Sequence, residues 1–184
     1  TIAKNKVMDV NVKHAAQLAA LNVARRSGSP RYKIAFEAKT SKELLTLLQD
    51  RDPAIRREVA EALRTFANAD ADTVGAVATA LIDALDDADE LARIAAARSL
   101  ARFGKFSRVA LPKLVGYLEL ENQALRKAAL IALASMGLDA KSALPMIVTV
   151  AISPATENDA ELRTFLAIAL RAIGPDATTP LLAE

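Results

Sequence analysis

A residue pattern that recurs four times constrains the fold of this chain more than any other feature. Each copy is centred on a leucine: Leu63, Leu100, Leu133 and Leu170. An arginine stands seven residues before each of these leucines: Arg56, Arg93, Arg126 and Arg163. Successive copies are 33 or 37 residues apart. A period of this length is typical of repeat architectures, because one helix pair cannot bury its apolar face and must stack on its neighbours.

The repeated arginines also locate the beginnings of helices. Four residues before each arginine stands a side chain that can accept hydrogen bonds from the first backbone N–H groups of a helix: Asp52, Asp89, Asn122 and Asp159. Pro53 fits the first helical position, where its missing N–H costs nothing. A glycine, which permits a left-handed turn, follows three of the helices: Gly104, Gly137 and Gly174. The pattern predicts four second helices, two of which span about 53–67 and 123–136.

A first helix is predicted before each second helix. Apolar runs occupy equivalent places: residues 44–48, 81–85, 114–118 and 147–151. Thr40 and Glu43 form a capping box before the first run, and Pro112 and Pro145 lie near the starts of the third and fourth. We therefore predict four helical hairpins, over about 41–68, 72–104, 107–137 and 141–174.

Both ends of the chain carry partial matches to the same pattern. Residues 1–40 contain a helix cap at Asp9, a basic residue at Lys13 and similar apolar spacing, so they are predicted to form a degenerate N-terminal repeat or cap. Residues 180–182, Pro-Leu-Leu, look like the start of a fifth repeat or a C-terminal cap. Two interpretations stay open: a slice of a longer array, and an array with atypical caps.

The repeated residues resemble a known family. The string from Leu47 to Arg56, followed by Ala60 and Leu63, is similar to the HEAT repeat, and the likeness covers residues 41–182. The resemblance implies an all-α fold, a right-handed α-α superhelix (α-solenoid) of helical hairpins whose second helices line a concave surface. Because such surfaces bind proteins, the resemblance implies a scaffold rather than an enzyme.

The resemblance also implies a structural ladder of aspartate–arginine pairs between successive repeats. Both members are present in the first two repeats: Asp50, Arg56, Asp87 and Arg93. Only the arginine matches in the last two, where the aspartate is replaced: Leu120 beside Arg126, and Glu157 beside Arg163. Asn122 and Asp159 are the nearest candidates to substitute for the missing aspartates.

Most residue types that carry catalytic chemistry are scarce. The chain has no cysteine and a single histidine, His14, so it lacks the His-Glu pairs with which deoxyhypusine hydroxylase, a HEAT enzyme, holds two irons. It also lacks tryptophan, which argues against the HEAT-like alkylpurine DNA glycosylases. The alternating acids of residues 68–72 fail the calcium-loop pattern at Thr73 and Thr79. We predict no enzyme activity, no catalytic, cofactor or metal site, and no cofactor. A lyase-type role, by likeness of fold to the bilin lyases, is the second alternative.

Charge is unevenly distributed along the chain. Residues 1–42 contain nine Lys or Arg against Asp9 and Glu37, whereas the remainder contains 15 basic and 20 acidic residues. The basic segment could bind nucleic acid and carries the first alternative function: Arg25, Arg26, Arg31, Lys33 and Lys39. Acidic residues throughout the repeats make that partner a poorer fit than a protein. No uncharged apolar stretch reaches the length of a membrane span, so the chain is predicted to be soluble. The cytoplasm is slightly favoured, with export after loss of a signal peptide as the alternative.

Helical geometry predicts which side chains of the second helices face a partner. At about 100° per residue, the position five residues after each arginine lies opposite the apolar stripe. Including neighbouring positions, the predicted partner-binding residues are Arg57, Glu61, Arg64, Ile94, Arg98, Lys127, Ile131, Phe165 and Ile168. Their apolar C-terminal half indicates a protein interface, unless curvature or a following repeat buries it. The sequence therefore predicts a non-catalytic protein-binding scaffold or complex subunit.

Overall fold

The structure is a computed structural model, and it describes residues 40–174. Every regular element in that range is helical. The α-helices are α1 (Ser41–Leu47), α2 (Pro53–Leu63), α3 (Ala71–Asp83), α4 (Glu90–Leu100), α5 (Leu111–Glu119), α6 (Gln123–Met136), α7 (Leu144–Ala151), α8 (Pro154–Glu157) and α9 (Ala160–Ile173). Short 3-10 segments lie between some of them: Arg64–Asn68, Ala84–Asp86, Gly104–Ala110 and Gly137–Ala143. The predicted all-α fold is confirmed, whereas the predicted N-terminal repeat and the start of a fifth repeat fall outside the described residues.

The second helices α2, α4, α6 and α9 begin directly after the predicted caps. Each cap uses a side-chain oxygen to accept a backbone N–H two or three residues further on, at 2.8 to 3.0 Å. The caps and their donors are Asp52 with Ala54, Asp89 with Ala92, Asn122 with Leu125, and Asp159 with Leu162. The starts of these helices are thus set by local hydrogen bonds that the sequence reveals.

The ends of the second helices follow the prediction less closely. Gly104 and Gly137 have positive φ angles of 49° and 57°, as expected of glycine after a helix. Gly174 instead has φ −152°, which is extended backbone open to any residue, so the left-handed turn predicted there is wrong. Helix α2 ends at Leu63, because the chain tightens into the 3-10 segment Arg64–Asn68 before the predicted stop.

The first helices α1, α5 and α7 begin as the sequence indicates. The capping box of α1 is formed: the Thr40 N–H donates to Glu43 Oε2 at 2.8 Å, and the Glu43 N–H donates to Thr40 Oγ1 at 3.3 Å. Pro112 and Pro145 occupy the first turns of α5 and α7, where a prolyl ring breaks no helical hydrogen bond.

The described residues divide into two compact units, with the boundary between Ser99 and Leu100. In the first unit, α1 contacts α2 and α3, and Ser99 in α4 donates a buried 2.8 Å hydrogen bond to the Ala60 carbonyl in α2. In the second unit, α5 packs on α6 and α7, while α9 packs on α6 and α7. Within each unit, helix pairs therefore stack on one another, as the all-α solenoid class requires.

Leucines and alanines fill the core of each unit. The four repeat leucines are between 0 and 6% exposed. Alanines of the second helices, such as Ala60, Ala129 and Ala132, are at most 1% exposed. Their small side chains let the second helices approach closely, which explains the abundance of alanine in the repeats.

One segment qualifies the prediction that the chain has no membrane span. By length and composition alone, Gln123–Ala151 is long and apolar enough to cross a membrane, and it is the only such segment among the described residues. The 3-10 segment Gly137–Ala143 divides it into α6 and α7. Seven side chains of α6 are buried inside the protein, among them Leu125, Leu130 and Leu133. A single segment of this kind is weak evidence for a membrane span, because the core helix of a soluble protein passes the same test.

Candidate functional site

The predicted ladder contains one closed rung in the first unit. Arg56 Nε donates to Asp87 Oδ2 and Arg56 Nη2 donates to Asp87 Oδ1, both at 2.7 Å. Arg56 Nη1 donates to the carbonyl of Asp50 at 2.8 Å and to that of Arg51 at 3.3 Å. Asp87 Oδ1 also accepts the Asp89 N–H at 2.8 Å. This bidentate ion pair holds the second repeat against the first, because the planar guanidinium and carboxylate groups must align to form both hydrogen bonds.

The electrostatics of this rung favour both charged forms. The hydrogen bond from Arg56 lowers the pKa of the Asp87 carboxyl below its usual value, burial opposes this effect, and the Asp89 N–H adds to it. The same hydrogen bond raises the pKa of Arg56. The side chains are only 16% and 8% exposed, respectively, so solvent screens this pair less than a surface ion pair.

The other three ladder arginines contact backbone carbonyls rather than acids. Arg93 Nη1 donates to the Asp87 carbonyl at 2.7 Å, and Arg126 Nε donates to the Leu118 carbonyl at 3.1 Å. Arg163 Nη1 donates to the Thr156 and Glu157 carbonyls. Asn122 and Asp159, suggested as substitutes for the missing ladder aspartates, serve as helix caps, and Asp159 also pairs with Lys127 rather than with a repeat arginine. These arginines instead anchor the turn before their own helix.

A second series of ion pairs joins successive repeats one position further along. Arg57 Nη2 lies 3.6 Å from Asp89 Oδ2 in the first unit. Lys127 Nζ lies 3.0 Å from Asp159 Oδ2 and 2.6 Å from Glu161 Oε2 in the second unit. In both cases a basic residue directly after the repeat arginine contacts the helix cap of the next repeat. The sequence analysis missed this series. In two of the four repeats, however, a basic residue directly follows the repeat arginine, and the next second helix begins with an aspartate cap.

These contacts also shift the ionisation of the second series. The hydrogen bonds that Lys127 donates to the carboxylates of Glu161 and Asp159 raise the pKa of Lys127. The pKa of Asp159 is lowered, first by the Leu162 N–H that it caps and then by Lys127. Lys127 is therefore occupied by structural ion pairs, which leaves it a smaller part in partner binding than the sequence suggested.

The outward face of the first unit is charged, as predicted, with one exception. Glu61, Arg64 and Arg98 are exposed, and Arg57 is half-buried beside Asp89. Ile94, which the helical wheel places outward, is only 5% exposed, so its assignment as a partner-binding residue is wrong. Ile94 stands at the position of Arg57 and Lys127, whose side chains turn sideways toward the next repeat. An aliphatic side chain at that position is buried instead of being presented to solvent.

The outward face of the second unit carries an apolar patch. Ile168 on α9 is 49% exposed, and Phe165, one helical turn before it, is half-buried. Ile131 occupies the equivalent position to Ile168 on α6, which packs directly on α9, and is also half-buried. We call Ile131, Phe165 and Ile168 the outward patch.

A shallow groove of about 460 Å³ lies along α9. Its lining consists of Ala160, Arg163, Thr164, Ala167, Ile168 and Arg171. Ile168 belongs both to this groove and to the outward patch, while the two arginines make the groove basic. We call this surface the α9 groove.

The described residues offer little to a metal or a catalytic reaction. They contain no group of three or more His, Asp or Glu side chains arranged to hold a metal ion. A polar pocket of about 320 Å³ in the first unit is lined in part by Asp83, Asp86 and the Arg56–Asp87 rung, which already occupies its charged centre. His14 and the basic N-terminal segment lie outside the described residues.

Comparison with known proteins agrees with the class defined by this geometry, an all-α helical repeat. Residues 77–152 match a family model described as HEAT repeats, which confirms the resemblance over that part of the chain. No curated protein matches the chain. A similar solved structure is the crystal structure of an engineered protein from the Northeast Structural Genomics Consortium, with a TM-score of 0.60 and 24% identity. The match covers 91% of this chain and 79% of the other, and it supports the fold alone.

Proposed function

We propose that this protein is a non-catalytic protein-binding scaffold or complex subunit, and that its outward patch contacts the partner. The coarser statement rests on the family: HEAT repeats form helical scaffolds that commonly bind proteins and are generally non-catalytic. The proposal that the outward patch contacts the partner rests on the exposure of Ile168, a β-branched aliphatic residue at the centre of a helix face. The equivalent positions in the first unit hold the charged residues Glu61 and Arg98.

The composition of the outward patch favours a protein partner. Three large apolar side chains lie on two neighbouring helices, and clustering of this kind marks interfaces more than scattered surface leucines do. A few side chains near the centre of an interface, packed in fully desolvated pockets, supply most of the binding energy of a complex. The charged outward residues of the first unit, Glu61, Arg64 and Arg98, are suited to orienting a partner rather than to holding it.

The proposal is tested by affinity capture from lysate of the source organism. The full chain is compared with the Ile168→Asp variant and with the Ile131→Asp/Ile168→Asp variant. The matched control is Ile152→Asp, because Ile152 is a 70% exposed isoleucine in the turn after α7 and lies outside the patch. We expect a protein that survives high salt to be retained by wild type and by the control, and lost from both patch variants.

Two results would count against the proposal. Equal retention by the patch variants, with circular dichroism showing that they are folded, would remove the outward patch from the interface. Nucleic acid retained only at low salt, by every variant alike, would move the function to the basic residues before Thr40, since phosphate contacts weaken steeply with salt.

A further inference from the structure

Two 3-10 segments of the second unit, Gly104–Ala110 and Gly137–Ala143, lie side by side. The first leads into α5, and the second joins α6 to α7. Arg108 Nη1 in the first lies 3.7 Å from Asp139 Oδ1 in the second. We call these two segments the loop edge. Because described helices precede and follow each segment, the exposure of the loop edge does not depend on a repeat stacked after α9.

Each segment of the loop edge has one buried side and two outer sides. A 3-10 helix has three residues per turn, so side chains three residues apart lie on the same side. The buried side consists of Ser107 and Ala110 in the first segment and of Ala140 and Ala143 in the second. Ser107 Oγ also donates a 2.7 Å hydrogen bond to the Leu100 carbonyl, which fastens the first segment. The remaining side chains are therefore directed away from the core.

The outer sides combine aliphatic and basic side chains. Val109 is 77% exposed and Leu138 is 70% exposed. Lys105 and Arg108 share one side of the first segment, Lys141 lies on the same side as Leu138, and all three basic side chains are exposed. Single exposed aliphatic residues are ordinary on protein surfaces. Here, however, two of them lie on neighbouring segments, each accompanied by exposed cations.

Charge is segregated between the two ends of the helices of the second unit. The loop edge contains three basic residues and one acidic residue, and Arg102 and Lys113 flank it. Near the other end of α6, residues 119–121 and 157–161 contain five acidic residues and no basic one. Helix α6 has 14 residues and is about 21 Å long, roughly two Debye lengths at physiological ionic strength. An anionic surface at the loop edge therefore meets cations and is screened from these acids.

The equivalent segment of the first unit has a different composition. The 3-10 segment Arg64–Asn68 and the four residues after it contain one arginine and two aspartates. The large apolar side chain of this stretch, Phe66, is buried. The basic and aliphatic character is thus particular to the loop edge and does not follow from the repeat itself.

We propose that the loop edge binds the surface of an anionic lipid membrane without crossing it. Val109 and Leu138 insert between the lipid headgroups, while Lys105, Arg108 and Lys141 bind the lipid phosphates; buried apolar area and attraction to anionic lipids together set the strength of such binding. With only two aliphatic groups the attachment is weak and reversible, and it requires anionic lipid. The inference goes beyond the proposed function, because it places the scaffold at a membrane by a surface other than the outward patch.

A membrane fits the loop edge better than nucleic acid does. A bilayer interface accepts isolated aliphatic side chains without matching their shape, whereas the phosphates of nucleic acid contact the cations alone. Binding of single strands uses exposed aromatic rings on which bases stack. The ring of Phe106 is instead half-buried, with Lys105 Nζ 5.5 Å from its centre.

The first test measures sedimentation of the full chain with phosphatidylcholine vesicles, prepared with and without about 30% phosphatidylserine. We expect binding only to the anionic vesicles. Lys105→Gln/Arg108→Gln/Lys141→Gln should weaken it on the order of 100-fold, since each cation near the surface contributes about fivefold. Val109→Ser/Leu138→Ser should weaken it about tenfold. The matched controls should bind like wild type: Arg51→Gln/Arg64→Gln/Arg98→Gln, at three exposed arginines of the first unit, and Ile152→Ser.

The second test reports insertion at one position. The chain has no cysteine, so Val109→Cys can carry a single polarity-sensitive dye, and Ile152→Cys is the matched exposed control. We expect anionic vesicles to shift the emission of the dye to shorter wavelength at position 109 and to leave it unchanged at position 152. Circular dichroism of each variant checks that it is folded.

Several results would overturn the inference. Equal binding to the two kinds of vesicle, no binding by wild type, or an unchanged emission at position 109 would remove the membrane contact. Binding that is lost in Arg25→Gln/Arg26→Gln/Arg31→Gln and kept in the loop-edge variants would assign the lipid to the basic N-terminal segment. Binding of a DNA duplex that needs the loop-edge cations, without vesicle binding, would assign this surface to nucleic acid.

The two proposals fail separately. Ile131→Asp/Ile168→Asp should bind anionic vesicles like wild type, because the outward patch is not part of the loop edge. If vesicle binding is absent while protein capture still depends on the outward patch, the proposed function stands and the membrane inference is wrong. Vesicle binding as expected, with protein capture unaffected by the outward-patch variants, would give the opposite result.

Discussion

Removing the Arg56–Asp87 rung should destabilise the first unit by an amount that can be estimated from its contacts. In Arg56→Gln, the carboxylate of Asp87 loses both 2.7 Å hydrogen bonds while remaining largely buried, and the Asp50 carbonyl loses its donor. Removal of one partner from a fully buried pair costs about 3 to 5 kcal/mol. Because Arg56 is 16% exposed and the retained Asp89 N–H still binds Asp87, we expect a loss of about 2 kcal/mol in the free energy of unfolding.

The pH dependence of this loss has a definite sign. The pKa of Asp87 in the folded state is lowered, mainly by Arg56, below the unfolded value of about 3.9. A carboxyl group with a lowered folded pKa contributes stability that is fully present above the unfolded pKa and is lost as the pH falls through the folded pKa. The stability difference between wild type and Asp87→Asn should therefore be constant from pH 7 to about pH 5 and shrink below about pH 4.

The assay is a double-mutant cycle measured by urea denaturation with circular dichroism. It uses Arg56→Gln, Asp87→Asn and the double variant, so that the coupling energy of the pair is separated from the cost of each substitution. The control cycle uses the exposed pair Arg108–Asp139, whose charged atoms are 3.7 Å apart and whose side chains are 67% and 39% exposed. We expect clear coupling in the first cycle and none measurable in the control. Equal coupling in the two cycles would refute the reasoning that burial and geometry distinguish them.

Two further predictions concern the second unit. Gly137→Ala should lower the free energy of unfolding by about 1 to 2 kcal/mol, because the φ angle of Gly137 is +57°. Gly116→Ala should instead raise the free energy of unfolding by about 0.5 to 1 kcal/mol, because Gly116 lies inside α5 and the added methyl group meets open space. Thermal and urea denaturation measure both, and a Gly137→Ala variant as stable as wild type would show that the turn tolerates a side chain. Asn122→Ala should cost about 1 kcal/mol by removing the acceptor of the Leu125 N–H, while Asn122→Asp should be nearly neutral; a similar loss in both variants would contradict a capping role.

The helices could be predicted from the sequence because their signals are local. A helix cap such as Asp52 accepts an N–H only two residues away, and the capping box of Thr40 and Glu43 is closed within one turn. Prolines in first turns act through the backbone of their own helix. Such features need no knowledge of the neighbouring repeats, so the periodic pattern was sufficient to place the helix starts.

The contacts between repeats could be predicted only in part, because they depend on where side chains turn. The helical wheel assigned Ile94 to the outward face, but the equivalent residues Arg57 and Lys127 reach sideways to the caps Asp89 and Asp159. The wheel treats a helix as isolated, and it cannot distinguish an outward position that is exposed from one that the fold buries. The same limitation hid the α9 groove, since Ala167 has the same residue type and spacing as Ala60 but is exposed where Ala60 is buried.

Footprinting of a single thiol at the outward patch tests the scaffold function most directly. The chain has no cysteine, so Ile168→Cys introduces its only thiol, and Ile152→Cys provides a matched exposed control. Alkylation rates are measured for the full chain alone and with the protein that it captures from lysate. The proposed function predicts that this partner slows alkylation at position 168 by about tenfold or more and leaves position 152 unchanged, since desolvated interface centres exclude water and solutes. Equal alkylation rates at position 168 with and without a saturating partner would contradict binding through the outward patch.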